Sequence, residues 1–88
     1  MLRITENFEN GKTVRLRIDG NLTESSYPEL ESIFVRHARD GTVFLLDMAG
    51  VVFVHDAVAE KLVNLRGERL RIINCSPFVE TLLEAFAK

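Results

Sequence analysis

The sequence predicts a small α/β domain: a mixed, mostly parallel four-stranded sheet in the order β-β-α-β-α-β-α, opened by an antiparallel hairpin. Three observations predict it. Apolar residues alternate with polar ones on both sides of "ENG" at the start of the chain, and helix-spaced segments then alternate with short apolar runs. The first two helical segments each join one apolar run to the next, as right-handed crossovers between parallel strands do.

Each element has its own warrant. Leu2 and Ile4 alternate with polar neighbours, as do Val14, Leu16 and Ile18, so both segments read as half-buried strands. A two-residue turn at Asn10-Gly11 would put the two apolar sets on opposite faces. A three-residue loop, Glu9 to Gly11 with Gly11 left-handed, pairs Leu2 with Ile18 and Ile4 with Leu16, and is the expected register.

After "DGNLTESSYP" the spacing changes to Leu30, Ile33, Phe34, His37 and Ala38, the one-face pattern of an amphipathic helix with Pro28 in its first turn and Asp40-Gly41 as its stop. "TVFLLDM" is a nearly continuous apolar run, expected to be a strand covered on both faces that ends at Asp47. Ala57 to Arg66 reads as a second helix with Val58, Leu62 and Leu65 inward and Gly67 as its C-terminal cap. "RLRIINC" supplies the fourth strand. "SPFVETLLEAF" supplies the last helix, capped by Ser76 and started by Pro77, with Phe78, Val79, Leu82, Leu83 and Phe86 inward.

The chain of 88 residues is short enough to be one domain, 1–88, with a single core. A formal charge of -2 with Arg and Glu scattered along the chain gives no nucleic-acid footprint. No window reaches the roughly 18 apolar residues of a membrane span, and "MLRITENFENGK" is too polar for a signal peptide. Cys75 is the only cysteine and has no CxxC or CxH partner, which suits a reducing, cytoplasmic setting.

Chemistry-bearing residues are few. His37 and His55 are the only imidazoles, and His37 falls on the apolar stripe of a helix. No metal-ligand set, activated nucleophile or glycine-rich phosphate loop can be assembled, so neither an enzyme nor a cofactor is expected. In open α/β sheets, partners engage the loops at the carboxyl ends of strands. Here that edge is expected to carry Asp47 to Gly50, His55-Asp56 and Cys75-Ser76. Asp47 reads as a loop residue that hydrogen-bonds the turn "DMAG". Asp56, just before a helix, reads as its N-cap and as negative charge at the positive end of the helix dipole.

These segments resemble a known family. "LLDMAGVVFVHDAVAEKL" is similar to the central signature of the STAS domain (sulfate transporter and anti-sigma factor antagonist). The usual form is an apolar strand, Asp-Leu-Ser-Gly-Val, a short β segment, then Asp-Ser-Ser-Gly-Leu-Gly opening a helix; the matched positions are Asp47, Gly50, Val51 and Phe53. "VRLRIDGNLTESSYPEL" and "RLRIINCSPFVETLLEAF" resemble flanking pieces of the same family, so the likeness runs from about Val14 to Phe86.

The resemblance implies a cytoplasmic, non-catalytic module of bacterial partner-switching signalling and transcription regulation. Such a module docks on a kinase-like anti-sigma factor until a serine at the Asp-Ser-Ser-Gly site is phosphorylated. In this sequence the site reads His55-Asp56-Ala57-Val58, with Asp56 at the phosphorylatable position, so the switch is expected to be fixed or lost. The same fold also serves in accessory subunits of lipid or anion transport systems, which is the alternative expectation. Relatives commonly continue through a further strand and helix. A sheet without them has an edge open to self-association, so a homodimer is a further expectation.

Overall fold

The computed structural model describes residues 2–38 and 41–87. Its elements follow the expected order: β1 (Leu2–Phe8), β2 (Thr13–Leu22), α1 (Tyr27–Arg36), β3 (Val43–Val54), α2 (Asp56–Leu65), β4 (Leu70–Ile73) and α3 (Pro77–Phe86). The sheet runs β1-β2-β3-β4, antiparallel between β1 and β2 and parallel from β2 onward. Among the described residues, no helix is long and apolar enough to cross a membrane.

Strand periodicity decides which side chains are covered. Val14, Leu16 and Ile18 of β2, Phe44, Leu46 and Met48 of β3 and Leu70 of β4 are buried on one face of the sheet. Leu30 and Ile33 of α1, Val58 and Leu62 of α2, and Val79 and Leu83 of α3 join them in a single core. Burying each such side chain is worth about 1.5–3 kcal/mol, so the helical layer is held by its apolar stripes more than by helix propensity. All three helices thus occupy the same side.

Several local expectations are corrected. The hairpin pairs Ile4 with Ile18 and Leu2 with Gly20, two residues out of the expected register. The apolar faces survive, because a shift of two preserves side-chain parity. The longer loop is shaped by the Asn10 side chain, whose Oδ1 accepts from the N–H groups of Lys12 at 2.8 Å and Thr13 at 3.0 Å. Gly11 is not left-handed; positive φ is found instead at Gly20, Gly41 and Asn74.

The helix ends also differ. Helix α1 stops at Arg36 with His37 as C-cap, so Ala38 lies past it and is exposed, and the Asp40 half of the expected stop is outside the described residues. Helix α2 ends in extended backbone at Arg66, without a left-handed Gly67. Leu65 and Phe78, expected inward, are 50% and 59% exposed and point away from the core. Strand β4 is shorter than the apolar run suggests, ending at Ile73 before the left-handed Asn74. Ser76 caps α3 as expected, its Oγ accepting from the Val79 N–H at 3.2 Å.

Candidate functional site at the amino end of α2

Strand β3 does not end at Asp47. It continues for 12 residues to Val54, and Asp47 is a buried residue in its middle. A carboxylate is tolerated there because its acceptors are filled. Asp47 Oδ2 takes a hydrogen bond from the Arg15 guanidinium at 2.7 Å, while Oδ1 accepts from the Ala49 N–H at 3.1 Å and the Asn74 amide at 3.2 Å. Burial pushes the carboxyl up, but Arg15, Ala49 and Asn74 outweigh it and hold Asp47 below the usual carboxylate range. The expected bond to the "DMAG" segment is present, within a strand and not a loop.

Beyond Asp47 the strand carries two bulges. Arg17 faces Asp47 and Asp19 faces Gly50, so β3 inserts one extra residue between them. A second extra residue, Val52, follows between the pairs Gly20 with Val51 and Asn21 with Phe53. The first bulge brings Gly50 beneath Asp19: a Cβ at Gly50 would stand 2.8 Å from Asp19 Cγ and 3.1 Å from the Ile18 carbonyl oxygen. Only glycine leaves this approach free. The second bulge breaks the alternation, leaving Val52 73% and Phe53 43% exposed between the buried Val51 and Val54.

The chain then enters α2. The His55 N–H donates to the Leu22 carbonyl at 2.8 Å, extending the ladder one step past the strand. His55 is in extended backbone and is the N-cap, its Nδ1 accepting from the Ala57 N–H at 3.1 Å. The cap is therefore His55 and not Asp56, because the chain turns helical one residue earlier than expected. An accepting Nδ1 puts the ring proton on Nε2, which lies 3.9 Å from Glu24 Oε1 in the β2–α1 loop. Asp56 occupies the first helical position, exposed, with its charge in the first turn.

The six residues singled out in the sequence thus divide. Asp47 and Val58 are buried, and Gly50 is half-buried under Asp19; these build the scaffold. His55 and Ala57 are half-buried and Asp56 is exposed, so these three reach the surface. Val52, Phe53 and Glu24 join them at this end of the molecule. Val52 and Glu24 did not stand out in the sequence, and Phe53 did so only as a position of the resembled signature, since "VVFV" is a plain run of apolar β-formers and the bulge that turns two of its residues outward has no local composition signal.

Other chemistry-bearing groups lie elsewhere. His37 Nε2 and the Arg36 guanidinium both reach the Glu6 carboxylate at 2.8 Å, and the His37 ring meets Phe8 edge-on with centroids 5.4 Å apart. His37 is therefore bound to the hairpin. Among the described residues, no three His, Cys, Asp or Glu side chains converge to hold a metal ion. Comparison with protein-family models gives no match, and neither does comparison with curated proteins.

Proposed function

We propose that the chain is a non-catalytic, cytoplasmic protein-binding module of STAS type, which docks a protein partner through the surface at the amino end of α2. The observation that carries this reading is Asp56: a carboxylate held at the first helical position and free of capping duty, because His55 already supplies the cap. Next to it in the chain, Val52 and Phe53 offer apolar surface that the fold itself leaves uncovered. An apolar pair beside a fixed charge suits recognition of a protein surface, since apolar contact contributes affinity while the charge selects the partner.

Asp56 occupies the position where the resembled family carries its phosphorylatable serine. It presents one permanent negative charge where phosphate would present nearly two. On this reading the module is set in the state that phosphorylation gives its relatives, and a kinase-like anti-sigma factor is the partner it would refuse. The anchoring of Asp47, Gly50 and Val58 in the scaffold supports the same reading, because it keeps the loop geometry while the switching residue has changed.

Affinity capture compares the wild type with Asp56→Ser and Asp56→Ala, with retained proteins identified by mass spectrometry. A kinase-like anti-sigma factor held by the variants and not by the wild type is the expected result. Retention of the same transport subunits by all three proteins would instead make the chain an accessory subunit of a lipid or anion transport system.

A further inference from the structure

Among the described residues, no helix covers the second face of the sheet. Parallel strands are ordinarily covered on both faces, so a bare face is a departure. The register defines what it presents: Asn7, Arg15, Leu45 and Arg71 form one row, and Thr5, Arg17, Asp47 and Ile73 the next. Arg3 and Asp19 follow at the end of β1 and β2. Val43, Leu45 and Ile73 are half-buried and make an apolar stripe along β3 and β4, flanked by arginines. Arg15 is engaged by Asp47, and Arg17 reaches Asp19 only at 3.4 Å. Arg3 and Arg71 are exposed and have no ion-pair partner among the described residues.

The opposite side of the molecule has the reverse character. The three helices carry six acidic residues against two basic ones. Of those two, Arg36 pairs with Glu6 and Lys61 sits 5.0 Å over the Tyr27 ring. Helix α3 is the clearest case. Its inward residues are Val79 and Leu83, and its outward surface consists of Phe78, Thr81 and Ala85 beside Glu80 and Glu84. This acidic helical surface is the electrostatic complement of a sheet face that carries four arginines against two aspartates.

We propose that the bare sheet face receives the outward surface of α3 from a second copy of this chain, so that copies stack head to tail, sheet on helix. The proposal is independent of the family reading and of the α2 site. Stacking would cover the bare face with a helix and set its net positive charge against the carboxylates Glu80 and Glu84. The contact is heterologous, so nothing closes it at two copies and assembly continues with concentration. Four strands at about 4.8 Å spacing offer a face roughly 20 Å on a side, about half the roughly 800 Å² per partner of a standard stable interface. The association is therefore weak and depends on salt. A nucleic acid fits this face poorly, because its arginine rows include two aspartates and no aromatic side chain on which a base could stack.

Sedimentation velocity of the full chain over a concentration series, at about 50 mM and about 500 mM salt, tests it. At low salt the average sedimentation coefficient is expected to keep rising past that of a dimer, and at high salt to return to the monomer value. The charge reversals Arg3→Glu with Arg71→Glu, and separately Glu80→Arg with Glu84→Arg, are each expected to give monomers. An equimolar mixture of the two double variants is expected to associate again, since reversed sheet then meets reversed helix; two misfolded proteins would not recover in this way. A wild type that stays monomeric at low salt, a closed dimer indifferent to both reversals, or a mixture that stays monomeric overturns the proposal. So does a monomeric wild type whose arginine face instead binds phosphatidylserine vesicles.

Discussion

Asp47 and Asn74 are joined by a 3.2 Å hydrogen bond at the point where β4 leaves the sheet. The same carboxylate oxygen accepts from the Ala49 N–H. Asn74 is left-handed, with φ 59°, and its side chain reaches the carboxylate just past the Asp47 with Ile73 pair that closes the parallel register. One buried side chain thus ends the pairing of two strands, takes up a backbone donor and anchors Arg15.

That arrangement predicts a loss of about 2 kcal/mol of stability for Asp47→Ala, below the roughly 3–5 kcal/mol of a fully buried pair because Arg15 is partly exposed. It also predicts a pH dependence. The carboxyl titrates below its unfolded value of about 3.9, so the folded state binds fewer protons near that pH. The stability it contributes is fully present above the unfolded value and is lost as pH falls through the folded one. Urea titrations at neutral pH and down to about pH 3 should show this acid limb in the wild type and its reduction in Asp47→Asn. Equal acid sensitivity of the two proteins would assign the limb to other carboxylates.

Gly50→Ala should destabilise by about 1–2 kcal/mol, since the new methyl displaces the Asp19 side chain and crowds the Ile18 carbonyl. Asp19→Ala removes the first obstacle. The double variant should therefore cost less than the sum of the two single ones, a coupling that a double-mutant cycle in urea reads directly. Strict additivity would place the strain in the backbone alone.

Much of this architecture could be read in advance because local and global preferences agree. Period-two apolar spacing marks β2, Ser76-Pro77 marks the start of α3, and the same residues pack the core. Two of the failures originate in contacts from outside the segment. Asp47 looks like a strand end until Arg15, 32 positions earlier, is brought alongside it. Val52 and Phe53 belong to a run of apolar β-formers, and only the extra residues of β3 counted against β2 show them turned outward. Asp56 is the better intrinsic cap candidate, yet the backbone turns helical at Asp56 itself and leaves His55 in the capping position. The hairpin register depended on the Asn10 side chain, which stabilises a longer loop than the glycine suggested.

Cys75 should be a slow thiol. Burial raises it, Glu80 adds to the effect, and the opposing influence of Arg66 does not cancel them, so the group lies above the usual thiol range. At neutral pH it is protonated in the folded protein. Alkylation by iodoacetamide, followed by mass spectrometry, should be several-fold slower than for the urea-unfolded chain at the same pH. Equal rates in the two states would show the thiol to be open to solvent and unperturbed.

The division of labour between His55 and Asp56 predicts an order of effects opposite to residue preference at helix starts. His55→Ala removes the Nδ1 acceptor for the Ala57 N–H and should cost about 1 kcal/mol, whereas His55→Ser keeps a capping oxygen and should restore most of it. Asp56→Ala removes only a charge near the helix dipole on an exposed position and should cost no more than about 0.5 kcal/mol. Urea midpoints of the three variants, taken at neutral pH and in moderate salt to damp long-range charge effects, separate these contributions. The functional consequence follows from the same comparison. If Asp56→Ala leaves the fold intact while altering partner binding, the carboxylate serves recognition; if its cost equals that of His55→Ala, it is part of the helix start, and its exposure has no bearing on a partner.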